Sequence, residues 1–292
     1  MEIARSSELS VRPATDDDKG AIYRLLQIAP YHHIHVDWHV PVDWLGTPGF
    51  VVSEISESGG ERAVIACLAA AADPPPAAWV RVAAIQSGQQ PQSLLKLMLQ
   101  QVVPYLRDSG IRELGWFPVR LWPEQWIMNL GFRQVNRIVT FFKEGTEIPS
   151  LPDNGIEIRN AEVTDMSELA ALEEEAFHPL WRHSAQGLRL AFWQSQSFKL
   201  AEIGGRIVGF YYSVEGINRE SAHLVRITVA RGLQNQGIGS ALMASALDSF
   251  RRRGVRQVTL NTQVDNVSSH RLYQRFGFRR MEDELPVWAL EL

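Results

Sequence analysis

Between Leu233 and Leu242 the chain reads Leu-Gln-Asn-Gln-Gly-Ile-Gly-Ser-Ala-Leu, directly after a β-like stretch from Ala222 to Val229. A strand therefore enters a helix through a glycine-bearing turn. Backbone N–H groups in such a turn converge on an anion, and the helix dipole adds roughly 0.3–1 kcal/mol per favourable charge at an exposed site. Gly237 and Gly239 lack the Cβ that would hold a phosphate away. The chemistry on offer is a pyrophosphate cradle; the plain alternative is a strand–turn–helix whose glycines serve only packing. No Gly-Lys-Ser/Thr follows, which excludes a Walker loop. Leu242 also stands where a dinucleotide fingerprint wants a third glycine or alanine.

About thirty residues on, a β-branched run from Val255 to Gln263 leads into Asn266-Val-Ser-Ser-His-Arg-Leu-Tyr273-Gln-Arg-Phe-Gly277-Phe278. Asn266 suits an N-cap, and Gly277 suits the residue that ends a helix. Ser269, Leu272, Tyr273 and Phe276 share one helical face. Tyr273 is thereby fixed near a helix C-terminus, with its hydroxyl able to reach a strand edge. A tyrosine, with an ordinary pKa near 10, stays protonated at neutral pH and can act as an acid. The bland reading is a core tyrosine bonded to a backbone carbonyl.

Together the two segments resemble the Gcn5-related N-acetyltransferase superfamily, known as GNAT. Gln234-x-x-Gly237-x-Gly239 matches its Gln/Arg-x-x-Gly-x-Gly/Ala signature, and Asn266…Leu272-Tyr273…Gly277-Phe278 matches its second acyl-CoA motif, with Ser269 where alanine is commoner. The likeness runs from about Ile156 to the C-terminus and implies transfer of an acetyl group from acetyl-CoA, as co-substrate, to a primary amine. It implies cofactor contacts from Ile227, Val229, Gln234, Asn235, Gln236, Gly237, Ile238, Gly239, Ser240, Asn266 and Ser269. It makes Tyr273 the acid that protonates the departing thiolate.

Amine transfer also wants a base. A lysine amine has a pKa near 10.4 and an α-amine near 8, so both gain from proton removal at neutral pH. His223 stands eleven residues before Gln234, where the histone-acetyltransferase branch carries a glutamate. A histidine there titrates near neutrality; a strand-surface histidine with no chemical role is the alternative. Asn261 holds the place of the glutamate of ribosomal-protein N-terminal acetyltransferases and cannot be a base, although it could bind the acceptor. Glu215 and Glu220 are reserves. Phe177-His-Pro-Leu-Trp181 falls in the region that borders the acceptor in this superfamily. The adjacent Glu173-Glu174-Glu175 reads as the wet face of a helix, with attraction of a cationic amine as the alternative.

The positioning elements repeat. Arg12 and Arg159 stand 147 residues apart, Phe50 and Phe198 stand 148 apart, and Gly131 and Gly277 stand 146 apart. An offset this steady argues for two copies of one α/β fold with a mixed sheet. The copies are expected over 1–146 and 156–292, joined by a linker over 147–155 that contains Asp-Asn-Gly. In the second copy strands are expected near 156–159, 198–203, 206–215, 221–230, 256–263 and 278–290, and helices near 164–176, 184–194, 238–253 and 266–276. The first copy has lost the chemistry. Gln90 and Gln92, around Pro91, stand for Gly237 and Gly239, while Ile127 replaces Tyr273 and Arg120 replaces Asn266. Its expected role is structural.

Composition agrees with a soluble enzyme. A net charge of −4 leaves no basic footprint for nucleic acid. The longest strongly apolar run, Ala63 to Ala72, is too short to span a bilayer. Glu2, Arg5 and Glu8 interrupt the N-terminus, so no signal peptide is expected and the compartment read is the cytoplasm. Cys67 is the single cysteine and reads as a buried core residue. Four of the eight histidines lie in His32-His33-x-His35-x-Asp37-Trp38-His39. An extended segment would point them apart, so a pocket wall or interface is favoured over metal, and no metal is expected. Arg251-Arg252-Arg253 reads as a solvated helix end. The expected partner is a small-molecule or peptide amine. The expected assembly is a monomer acting as a tandem pseudo-dimer, with a homodimer as the alternative. A non-catalytic acyl-CoA-binding or regulatory protein is the alternative function.

Overall fold

The computed structural model describes residues 9–56, 62–152 and 155–292. Glu2, Arg5, Glu8 and the Asp153-Asn154 pair of the expected linker lie outside the described residues. The chain divides into two compact units, one of residues 1–135 with 286–292 and one of residues 136–285. The sequence repeat and the compact units thus part company at both C-terminal strands.

Unit 1 is built from β1 (Leu9–Pro13), α1 (Lys19–Ile28), β2 (Tyr31–Ile34), β3 (Phe50–Ser56), β4 (Arg62–Ala72), β5 (Ala77–Ile85), α2 (Pro91–Asp108), β6 (Glu113–Trp116) and α3 (Glu124–Ile127). Unit 2 holds most of β7 (Arg133–Glu144), then β8 (Glu157–Asn160), α4 (Met166–Ala176), α5 (Ala185–Gln194), β9 (Ser197–Ile203), β10 (Arg206–Glu215), β11 (Ser221–Val229), α6 (Ile238–Arg252), β12 (Gln257–Gln263) and α7 (Val267–Arg275). The last strand, β13 (Arg279–Glu291), begins in unit 2 and ends in unit 1.

In unit 1 the strand order is β1-β3-β4-β5-β6-β13, with Trp288 of β13 opposite Trp116 of β6. Every residue of β5 is buried, as expected of a strand covered on both faces. On one face Val80, Ala83 and Ile85 meet Leu95, Met98 and Val102 of α2. On the other, Val82 and Ala84 meet Ile22 and Leu25 of α1, together with Cys67. The inward parity switches between Val80 and Val82 because Arg81 is an extra residue there: Ala69 faces Val82 and Ala70 faces Val80. Such a bulge turns the strand's facing side chains over.

In unit 2 the order is β7-β12-β11-β10-β9-β8. Here β7, from the first sequence copy, lies antiparallel to β12 of the second, with Leu260 opposite Phe141. Helix α6 buries Ile238, Leu242, Met243, Ala246, Leu247 and Phe250. That is an apolar stripe at three-to-four spacing, and each large side chain contributes roughly 1.5–3 kcal/mol when fully buried. It packs with Tyr273 of α7, with Phe276 at the C-cap of that helix and with Phe141 of β7. The observed elements fall within two residues of the expected bounds throughout the second copy.

The repeated arginines have a shared reason. Arg12 forks onto Asp18 at 2.7 and 2.8 Å and reaches Glu54 at 3.0 Å. Arg159 forks onto Asp165 at 2.8 and 2.9 Å and reaches Glu202 at 2.8 Å. Each clamp ties the first strand of a copy to the turn that follows it and to the strand paired with it in the sheet. Arg159 and Arg12 hold Asp165 and Asp18 below the usual carboxylate range.

Candidate functional site

The turn from β11 into α6 holds the residues expected to form the cradle. Gly237 is the N-cap of α6 at φ +88° and ψ −9°, a left-handed conformation that costs any residue with a Cβ, and no side chain caps the helix. The first intrahelical bond of this end is Ala241 N to Gly237 O at 3.0 Å. The N–H groups of Ile238, Gly239 and Ser240 therefore have no acceptor among the described residues, which is the condition that makes a helix N-terminus an anion site. Gly239 also has a packing role. A Cβ there would lie 3.3 Å from Leu272 and 3.8 Å from Val229, so its absence lets α6 sit close to α7 and β11. Gly209 does the same from below, since a Cβ would meet Thr228 O at 2.6 Å and the side chains of Leu242 and Ile238 at 3.1 and 3.3 Å. Gln234, Asn235 and Gln236 are exposed along the turn, and Asn235 has φ +64°.

The strands below the turn part. β11 and β12 run parallel from Ser221↔Gln257 to Leu224↔Leu260, and the pairing stops there. β11 continues to Val229 and β12 to Gln263. A bulge coincides with the parting, because Ser213 faces Leu224 and Tyr212 faces Arg226, which leaves Val225 over. The edge of β11 from Val225 to Val229 is thus open toward β12, with no strand on it among the described residues. Ile227 and Val229 pack toward α6 and α7, leaving their backbone to the wedge.

Tyr273 lies on α7 at 4% exposure, its ring edge-on to Phe141 at 5.4 Å. Burial pushes its hydroxyl up to about 12, against the hydrogen bond with Ser269 and the positive charge of Arg226. It is protonated across the physiological range. Asn266 is the N-cap of α7, its side chain accepting from Ser269 N at 3.2 Å and donating to Thr262 Oγ1 at 3.2 Å. These bonds engage the side chains of Asn266 and Ser269 in shaping α7 and supporting Tyr273.

On the opposite face His223 sits one residue before the parting, with Nδ1 2.8 Å from Thr259 Oγ1. Burial lowers its pKa. Asn261 accepts a bond from Thr140 of β7 at 2.9 Å. Glu215 is engaged by Arg253 at 2.5 Å, and Glu220 stays exposed beside Arg256. The expectation for the acidic run needs correction. Glu174 and Glu175 are exposed, but Glu173 is fully buried. It receives Arg226 Nε at 2.7 Å and Nη2 at 2.8 Å, and His183 N at 2.7 Å. Burial alone would raise its pKa, yet Arg226 and His183 bring it down to about 2. The arginine run is likewise only partly a solvated end, since Arg253 also donates to Gln196 O at 2.9 Å. Phe177 stacks under the Arg226 guanidinium at 3.9 Å. A groove of about 400 Å³ runs from Glu174 and Glu175 past His178 to Arg231 and Gln234, linking the end of α4 to the turn before α6.

Unit 1 treats the matching place differently. β5 pairs with β6 only over Ala77 to Trp79, and its edge beyond is taken by β2, with Ile34 opposite Val82 and Tyr31 opposite Ile85. The histidine-rich segment is this added strand. His33 is buried, with Nε2 3.0 Å from Val80 O, and burial lowers its pKa to about 4. Arg81 pairs with Asp37, and His39 lies 3.2 Å from Asp73. No group of three metal-ligating side chains occurs among the described residues. The turn into α2 spans 86–90, three residues shorter than the 230–237 turn of unit 2, and opens its helix with Pro91. Proline has no N–H to offer.

Residues 166–278 match the family profile described as acetyltransferase (GNAT) family. An uncharacterised N-acetyltransferase of Methanocaldococcus jannaschii is 30% identical over 125 residues, which is 42% of this chain and 77% of that protein. The chain belongs to the GNAT acetyltransferase family. A mycothiol acetyltransferase of Renibacterium salmoninarum is 23% identical over 83% of this chain and 82% of its own length. A solved tandem GNAT protein from the clavulanic acid biosynthesis pathway covers 97% of this chain and 98% of its own, with a TM-score of 0.57 at 16% identity. The chain is a GNAT-family N-acetyltransferase, and the family uses acetyl-CoA as co-substrate. No helix among the described residues is long and apolar enough to cross a membrane.

In this GNAT protein the uncapped helix end, the open edge and Tyr273 come together in unit 2. Three features escaped the sequence: the parting of β11 from β12, the Glu173–Arg226 pair, and Phe141 beside Tyr273. The bulge and the pairs that end at Leu224 depend on partner strands far away in sequence. Arg226 did carry a signal, since an arginine set between Val225 and Ile227 in a strand needs an acidic partner if it is buried.

Proposed function

We propose that unit 2 transfers an acetyl group from acetyl-CoA to a primary amine, carried by a small molecule or by the N-terminus of a peptide or protein. The single observation behind this is the parting of β11 from β12 immediately below an uncapped helix N-terminus. The free N–H groups of Ile238, Gly239 and Ser240 suit a pyrophosphate. The unpaired backbone at Ile227 and Val229 suits the amides of a pantetheine arm. The thioester supplies an activated acetyl group. Tyr273, protonated and buried beside Phe141, gives its proton to the departing sulfur. Two histidines stand on the acceptor side as candidates to take the amine's proton, His223 and His183.

The mycothiol acetyltransferase likeness extends over both halves of the chain, which supports a low-molecular-weight amine as the first acceptor to try. Unit 1 takes a structural part: its edge is filled and its helix begins with proline. The test is release of free thiol from acetyl-CoA across a panel of peptide α-amines, lysine, polyamines and aminosugars. At least one amine should raise release well above the amine-free rate. A chain that binds acetyl-CoA and acetylates none of the panel would favour a binding role.

A further inference from the structure

We propose that His183, oriented by Glu173, is the base that collects the proton of the acceptor amine. The inference rests on the acetyltransferase reading of unit 2. His183 lies between the short turn Pro179–Trp181 and α5. Its Nδ1 is 3.1 Å from Glu173 Oε2. A carboxylate only accepts, so Nδ1 carries a proton, and in the neutral imidazole Nε2 presents the lone pair. Nε2 has no partner among the described residues, and the side chain is 29% exposed while Glu173 is fully buried. A base held in one tautomer by a buried acid, with its other nitrogen reachable, is the arrangement that proton removal needs.

The location agrees. Glu173 also grips Arg226, which belongs to the stretch of β11 beyond Leu224 where the edge is open. The dyad is therefore anchored to the wedge itself, and the charge of Arg226 is felt by the Tyr273 hydroxyl. The groups facing His183 are Glu173 from α4, Arg226 from β11 and Tyr212 from β10, whose ring lies 6.4 Å away. Its chain neighbour Arg182 is turned to Phe177 O at 2.9 Å and to Glu174 at 3.9 Å. Arg226 balances Glu173, so a neutral imidazole leaves the cluster without net charge and a proton taken up is countered by the carboxylate. His223, in contrast, has Nδ1 on Thr259 and stands in the closed part of β11.

In the step itself the amine nitrogen bonds to the acetyl carbonyl carbon and the carbon–sulfur bond breaks. The amine's proton goes to His183 Nε2, and the sulfur takes the proton of Tyr273; solvent then restores both groups.

The experiment combines pH–rate profiles of kcat/KM with imidazole nitrogen NMR of the whole chain. His183→Ala should lose about 10²–10⁴-fold at neutral pH and lose the acidic limb of the profile, with acetyl-CoA affinity by calorimetry unchanged. The spectrum of the wild-type chain should show His183 in the Nδ1–H tautomer. A folded His183→Ala chain that binds acetyl-CoA and keeps the limb, with that limb vanishing in His223→Ala instead, overturns the inference alone. An Nε2–H tautomer does the same. A wild-type chain that acetylates no amine overturns the acetyltransferase reading and this inference with it.

Discussion

Two copies of one fold treat the same strand edge in opposite ways. In unit 2 the parallel pairing of β11 stops at Leu224, and the edge beyond is left open under an uncapped helix. In unit 1 the pairing of β5 stops at Trp79, and the chain's own β2 covers the edge from Val82 to Ile85. Backbone N–H and C=O groups must be satisfied somewhere. Unit 1 satisfies them internally along β2; unit 2 leaves that edge without a strand among the described residues. The helix starts follow suit, Pro91 in the first and the left-handed Gly237 in the second. On the proposed reading, the two copies differ in what fills the cleft as well as in the residues that line it.

The largest expected effect comes from filling the open site. Gly237→Glu adds bulk, a strained backbone and a negative charge where phosphates would lie. Acetyl-CoA affinity by calorimetry should fall by more than about 100-fold while circular dichroism stays unchanged. Gln90→Glu, at the matching place in unit 1, should leave affinity as it was. Equal losses in both variants would erase the contrast between the units.

Next is Tyr273→Phe, which keeps the ring packed on Phe141 and removes the proton. A fall in kcat of about 10²–10⁴-fold with little change in acetyl-CoA affinity is expected. An unchanged kcat would reduce Tyr273 to a core residue.

A third test uses the ends of the chain. Trp288 belongs to unit 1 by pairing, although it lies in the second sequence copy. Trp288→Ala should cost about 3–5 kcal/mol, the usual range for a buried tryptophan. Hydrogen exchange should show that cost in unit 1, around Trp116 and Leu114. A loss confined to residues 136–285 would mean that β13 serves unit 2 throughout.

The smallest effect is a pH dependence of the filled edge. His33 has its pKa lowered from 6.5 to about 4 by burial. The unfolded chain therefore binds more protons between those values, and stability falls as pH drops from 6.5 toward 4. The contribution is on the order of 3 kcal/mol at full development. His223 acts in the same direction in unit 2. Glu173, lowered to about 2, acts elsewhere: its stabilisation is whole above 4.5 and goes as pH falls through 2. Denaturant midpoints of His33→Gln against the parent chain should differ less at pH 4 than at pH 7. Parallel curves would show that His33 is no titrating part of unit 1.

What was legible in the sequence was local. The glycine turn, the Asn266 cap and the face holding Tyr273 are written within single helix turns, so their spacing suffices. Strand bounds in the second copy were legible because β-branched runs end at glycine or polar turns. The filling of the β5 edge was not, because His32-His33 pairs with residues about fifty positions on, and a histidine-rich segment reads as polar surface. Glu173 was misread for a related reason. Three adjacent glutamates look alike on a helix, and only Arg226, brought in by a distant strand, makes the first one a core residue. The division of the chain was hidden by strand exchange: β7 belongs to the first copy by sequence and pairs with β12 in unit 2.

Hydrogen–deuterium exchange of the whole chain with and without acetyl-CoA tests the central contrast most directly. Protection is expected over 225–240, the open edge and the start of α6, with no change over 82–95, the filled edge and the start of α2. Protection over 82–95, or none over 225–240, would contradict the account.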